Sequence, residues 1–161
     1  MNGGGLIDVL LLEVAGQRVG LPAAAVHEVL PCARFETLAK APPFVEGMLN
    51  VRGRALPVLS LRERLGHPRR EPALDEHLVR VEAGPRELLL RVDRALDLVG
   101  VDPARLEGLD DRHRPFAGVV ATPDGVLLVQ DPERFLEPRE SGALAAFERS
   151  RAADRAEPTE G

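Results

Sequence analysis

Pro42-Pro43-Phe44-Val45-Glu46-Gly47-Met48-Leu49-Asn50-Val51-Arg52-Gly53-Arg54-Ala55-Leu56-Pro57-Val58-Leu59-Ser60-Leu61-Arg62 is the stretch that decides how this chain folds. A proline pair stiffens the approach, the apolar run from Val45 to Val51 reads as a strand, Arg52-Gly53 makes a two-residue corner, and Ala55 to Leu61 reads as the returning strand. Gly53 can take φ > 0 without steric cost, so the corner predicts a tight hairpin that holds the Arg52 guanidinium outward at a fixed place.

Working upstream from that hairpin, Leu6 to Val14 and Arg18 to Leu21 read as two strands joined through Ala15-Gly16-Gln17. Pro22-Ala23-Ala24-Ala25 suits a helical turn with Pro at its start. Val26-His27-Glu28-Val29-Leu30 then reads as a half-buried strand, in which His27 and Glu28 cannot share a face. Pro31 to Pro43 is a connection. Downstream, Leu61 to Leu65 predicts a short helical turn closed by Gly66, and His67 to Glu76 is a charged, proline-bearing loop that divides the chain. Leu78 to Glu82, a turn at Ala83-Gly84-Pro85-Arg86 and Glu87 to Val92 begin a second series of strands.

That second series repeats the first at an offset of about 70 residues. Gly16 matches Gly84, Val26-His27-Glu28-Val29 matches Ala95-Leu96-Asp97-Leu98, Pro43-Phe44 matches Pro115-Phe116, Gly47 matches Gly118, and Gly53 matches Gly125. The hairpin recurs as Val119 to Thr122, Pro123-Asp124-Gly125 and Val126 to Val129, and Leu61 to Leu65 is echoed by Asp131 to Leu136. With about five short strands per half, a small partly closed barrel is favoured over an open sheet, because closure removes exposed edges. The expected organisation is one domain over 6–138, with a first subdomain at about 6–66, a second at about 77–136, and a short helix and disordered tail over 139–161. Within the helix, which spans Gly142 to Phe147, Leu144 and Phe147 are the candidate core residues.

Composition narrows the function. With 3% aromatic residues and neither Trp nor Tyr, the core must be built from Leu, Val and Ala, and the composition disfavours stacking platforms for single-stranded nucleic acid or sugars. A net charge of -5 argues against nucleic acid or an anionic membrane as partner. The single Cys32 excludes an internal disulfide framework, and the N-terminal apolar run ends at Glu13, too soon for a spanning helix, so a cytoplasmic protein is expected. His27, His67, His77 and His113 lie in different segments without metal-ligand spacing. Asp110-Asp111 reads as a solvated turn, Ser60 and Ser141 have no nucleophile elbow, and no phosphate loop or dinucleotide fingerprint occurs. The residues thus point to no catalytic site, no metal and no cofactor, and the apolar surplus on two neighbouring barrels points to a groove that docks another protein. A small-molecule-binding β-barrel is the alternative of another class.

Phe44-Val45-Glu46-Gly47-Met48-Leu49-Asn50-Val51-Arg52-Gly53 resembles the F-x-x-G-x-x-N-L-R-G segment of the CheW-like family of chemotaxis coupling proteins. Pro57 to Arg62 is similar to its P-V-x-D-L-R, Val26 to Leu30 to its V-x-E-V-I, and Val92-Asp93 with Asp97-Leu98-Val99 to its V-D-x-V-x-x-V-L. The resemblance spans roughly Leu10 to Leu136, with Ser60 standing where the family has Asp and Leu88-Leu89-Leu90 where it often has Gly. It implies an all-β fold of two pseudo-repeated SH3-like five-stranded barrels sharing a core. It also implies a non-enzymatic adaptor that joins the cytoplasmic tip of methyl-accepting chemoreceptors to the regulatory domain of a histidine kinase, recruited to receptor arrays at the inner face of the membrane without inserting into it. An adaptor of another chemosensory pathway, controlling twitching motility or gene expression, carries the same motifs. Carried over by motif, the receptor-binding positions are Val26, Glu28, Gly47, Arg52 and Leu98.

Overall fold

The structure, a computed structural model, describes residues 5–107, 116–123 and 125–156. In chain order the elements are β1 (Ile7–Val14), β2 (Gln17–Pro22), a 3-10 turn (Ala23–Ala25), β3 (Val26–Pro31), β4 (Gly47–Val51), β5 (Arg54–Ser60) and α1 (Leu61–Arg64). They are followed by β6 (His77–Ala83), β7 (Arg86–Val92), β8 (Arg94–Val101), a turn (Pro103–Arg105), β9 (Phe116–Thr122), β10 (Gly125–Gln130), a turn (Pro132–Arg134) and α2 (Pro138–Ala156). The central hairpin forms as its sequence requires. Arg52 at φ 50° and Gly53 at φ 89° make a two-residue loop with both positions left-handed, the geometry whose twist matches the flanking strands. The Asn50 side chain accepts the Gly53 N–H at 2.8 Å. Ser60, in the family's Asp position, caps α1 by accepting the Glu63 N–H at 3.2 Å.

The strands assort into two five-stranded sheets, β8-β1-β2-β10-β9 and β3-β6-β7-β5-β4. Replacing each strand of the second sheet by its repeat counterpart (β3 by β8, β6 by β1, β7 by β2, β5 by β10, β4 by β9) yields the order of the first. The repeat therefore holds in space, down to paired bridges at Glu36–Met48 and Glu107–Val119. The expected boundaries of about 6–66 and 77–136 do not delimit the sheets. The β1–β2 hairpin of the first half lies with β8, β9 and β10, and the β6–β7 hairpin of the second half lies with β3, β4 and β5. Each exchanged hairpin is joined to its new sheet by a parallel pairing, β2 to β10 and β7 to β5. A strand's apolar face specifies burial without naming the strand beside it, so this exchange is invisible to periodicity.

Three apolar clusters result. Val9, Val101, Val120, Leu127 and Val129 fill the first barrel, and Val51, Leu56, Val58, Leu78 and Leu89 fill the second. Between the sheets lies a shared core that includes Leu12, Val19, Leu21, Leu59, Val79, Leu88, Leu90 and Phe135. The Leu88-Leu89-Leu90 run is thus split by alternation between the shared core and the second barrel, and all three residues are fully buried. Leu144 and Phe147 of α2 also enter the shared core. The helix itself is longer than expected. It runs 19 residues, through the Arg-, Ala- and Glu-rich segment read as part of a disordered tail, where strong helix formers carry little apolar period. Residues 157–161, together with Asp110, Asp111, His113, Pro115 and Asp124, lie outside the described residues.

Candidate functional site

One end of the second barrel is lined by alternating charges. Arg52 Nη1 and Nη2 donate to Glu28 Oε1 and Oε2 at 2.5 and 2.7 Å, a bidentate pair that ties the β4–β5 corner to β3, the opposite edge of the same sheet. Glu28 also accepts from Arg80 Nη1 at 3.1 Å. Arg80 in turn donates through Nε to Glu87 at 2.8 Å, and Arg54 pairs with that same carboxylate. His27 Nε2 stands 3.3 Å from Glu82 and 3.6 Å from Glu87. Register explains the convergence: Glu28 lies opposite Arg80, and Arg80 lies opposite Leu89, so these charges continue the interior face of the barrel where it opens to water. The Arg52 hydrogen bond, aided by Arg80 against the cost of partial desolvation, holds the Glu28 carboxyl down to about 2. The Arg80 hydrogen bond lowers Glu87 in the same way.

The predicted site residues fare differently within this arrangement. Glu28 and Arg52 are brought together. Arg52 is 66% exposed in its side chain, as the corner requires, and Arg54 and Arg80 join it in the same cluster. Val26 lies on the same strand, half-buried against the shared core. Gly47 is buried, and a Cβ added to it would stand 2.4 Å from the Glu36 carbonyl oxygen and 2.6 Å from the Phe35 ring. The missing side chain lets the Phe35–Glu36 segment close over β4, and Gly118 does the same against Glu107 in the other barrel. Leu98 is 59% exposed on β8, opposite Leu10, and its repeat equivalent Val29 is 40% exposed on β3, opposite Val79. Arg54, Arg80 and Glu87 escaped the sequence reading. Their signal was a charge at every second position beside Leu78, Leu56 and Leu89, on the face that those leucines bury.

The other end of the second barrel is sealed. Arg91 is almost fully buried and donates to both oxygens of Glu46 at 2.7 and 2.9 Å and to Glu76 at 2.8 Å. Burial works against the charged guanidinium, but the two carboxylates outweigh it and raise its pKa. Cys32 packs beside this cluster, and burial together with Glu76 pushes its thiol up. The open end of the first barrel is built differently. There Leu11 takes the place of Arg80, and a cavity of about 440 Å³ opens between Leu11, Val99, Val120 and Leu127, with Arg18, Asp102 and Arg105 around it. Among the described residues, no cluster of three His, Cys, Asp or Glu side chains is placed to hold a metal ion. No described helix is long and apolar enough to cross a membrane.

Comparison with known proteins places this geometry. Residues 8–140 match the family model of the CheW-like domain. The chain is 26% identical over 129 residues to the chemotaxis protein CheW of Rhizobium meliloti, covering 80% of this chain and 81% of that one. It is 25% identical over 133 residues to the chemotaxis protein CheW of Thermotoga maritima, covering 81% and 87%. Its fold superposes on the crystal structure of the scaffolding protein TtCheW from Thermoanaerobacter tengcongensis with a TM-score of 0.74 at 24% identity, over 82% of this chain and 93% of that one. The two five-stranded sheets accord with a pair of SH3-like subdomains. With its family model matched over most of its length, the chain belongs to the CheW-like family of chemotaxis scaffold and adaptor proteins.

Proposed function

We propose that this protein couples the cytoplasmic tips of methyl-accepting chemoreceptors to the regulatory domain of a histidine kinase, by docking alone. The observation that carries the reading is the Glu28–Arg52 pair, a charged clasp held at a barrel rim on the same strand as Val26 and the exposed Val29. A receptor helix laid along β3 and its repeat equivalent β8 would find apolar contact at Val26, Val29 and Leu98, and would offer a carboxylate for Arg52. The open end of the first barrel, with its cavity between Leu11 and Val99, suits the kinase's regulatory domain, so the two partners would use separate surfaces. Such an adaptor would sit in the cytoplasm and reach the membrane only through receptor arrays, where multivalency strengthens modest affinities.

Arg52→Ala tests the receptor half. Glu28 keeps Arg80 as a partner and the Arg52 side chain is mostly exposed, so the melting temperature should fall by no more than a few degrees. Co-sedimentation with receptor-containing membranes should fall roughly 10-fold. Loss of stability in step with loss of binding would make Arg52 a structural residue and remove the basis of the reading.

A further inference from the structure

A groove of about 670 Å³ runs between α2 and the segment preceding β4, and it shares no residue with the surfaces described above. Its α2 wall extends from Arg139 to Ser150, about 16 Å of helix, and Phe44 and Phe147 contribute its aromatic lining. The groove is therefore long and apolar, suited to a segment of chain more than to a compact ligand. It is also braced. Arg64 stacks 5.4 Å over the Phe44 ring, donates to Glu140 through both terminal nitrogens and donates to the Phe135 carbonyl at 2.9 Å.

The charge around the groove is unbalanced. Glu140, its carboxylate, is neutralised by Arg64, which outweighs the cost of burial and lowers its pKa. Lys40 and Arg139 remain, both exposed. Among the described residues no carboxylate pairs with Lys40, and Arg139 has only the electrostatic influence of its neighbour Glu140. Lys40 is moreover held at φ 67°, a left-handed conformation that non-glycine residues rarely adopt. On a chain of net charge -5, a cationic rim over an apolar floor selects an acidic, amphipathic occupant. We propose that this groove docks an amphipathic helix of a partner protein, one that lays an apolar ridge between Phe44 and α2 and sets carboxylates against Lys40 and Arg139.

The test uses the full chain and a fluorescein-labelled synthetic helical peptide with Leu at i, i+3, i+4 and i+7 and Glu at the flanking positions, beside a twin carrying Lys for Glu. In anisotropy titrations the Glu peptide should bind saturably. In amide spectra it should perturb Lys40, Ala41, Phe44 and residues 139–150. Lys40→Glu combined with Arg139→Glu should weaken the Glu peptide at least ~10-fold and strengthen the Lys peptide, with the melting temperature unchanged because both side chains are exposed. Ala146→Trp, which fills the groove without touching its charges, should abolish binding of the Glu peptide. Equal binding of the two peptides, perturbations confined to the open end of the first barrel, or no saturable binding of the Glu peptide would each overturn the proposal.

Discussion

Arg52 and Glu28 hold each other across the mouth of a barrel, and the strength of that hold sets a pH prediction. With its carboxyl lowered from an ordinary 4.5 to about 2, Glu28 stabilises the fold in full above about pH 4.5, and the contribution is lost as pH falls toward 2. Carbon-detected NMR titration should give a Glu28 midpoint near 2 in the wild type. In Arg52→Ala the midpoint should move back toward 4.5 without reaching it, since Arg80 still donates. The buried Arg91 is a different kind of charge. Removing it by Arg91→Met would leave Glu46 and Glu76 enclosed without a counter-ion, so chemical denaturation should show a loss of about 3–5 kcal/mol. Neither partnership was legible in sequence. The hairpin corner announced where the guanidinium of Arg52 would stand, but Glu28 belongs to another strand, and only closure of the sheet brings the two together.

Among the elements, the hairpins were the most legible and α2 the least. Two-residue turns at Ala15-Gly16 and Arg52-Gly53 take left-handed φ values that their glycines advertise, and alternation marks the faces of the strands between them. Helix α2 hides because it is held partly by half-buried ion pairs, Arg86 to Glu148 and Arg64 to Glu140, and not by an apolar stripe of regular period. Gly142 sits inside this helix with nothing within 4 Å of an added Cβ, and its φ is not left-handed. Gly142→Ala should therefore raise stability by about 0.5–1 kcal/mol, measured as a shift in the denaturation midpoint, since it removes backbone freedom only from the unfolded chain.

At the scale of the whole molecule, the exchange of hairpins makes the two halves interdependent. Expressed alone, residues 1–66 would lack the β6–β7 hairpin that completes the second sheet, and residues 77–161 would lack the β1–β2 hairpin that completes the first. Neither fragment should show a cooperative thermal transition or dispersed amide resonances, whereas a folded fragment would contradict the strand order. The same interdependence welds both barrels onto one shared core, so the rim charges of one and the open cavity of the other are held in a fixed relation. By itself the sequence determined the hairpins, the repeat and the motifs of the family, because each of these is written in the order and spacing of residues along the chain. Tertiary structure alone decided which hairpin completes which sheet, that Arg52 is clasped by Glu28, and that Gly47 packs against the Phe35–Glu36 segment. Those outcomes depend on which strands lie side by side, and local periodicity fixes a strand's faces without fixing its neighbours.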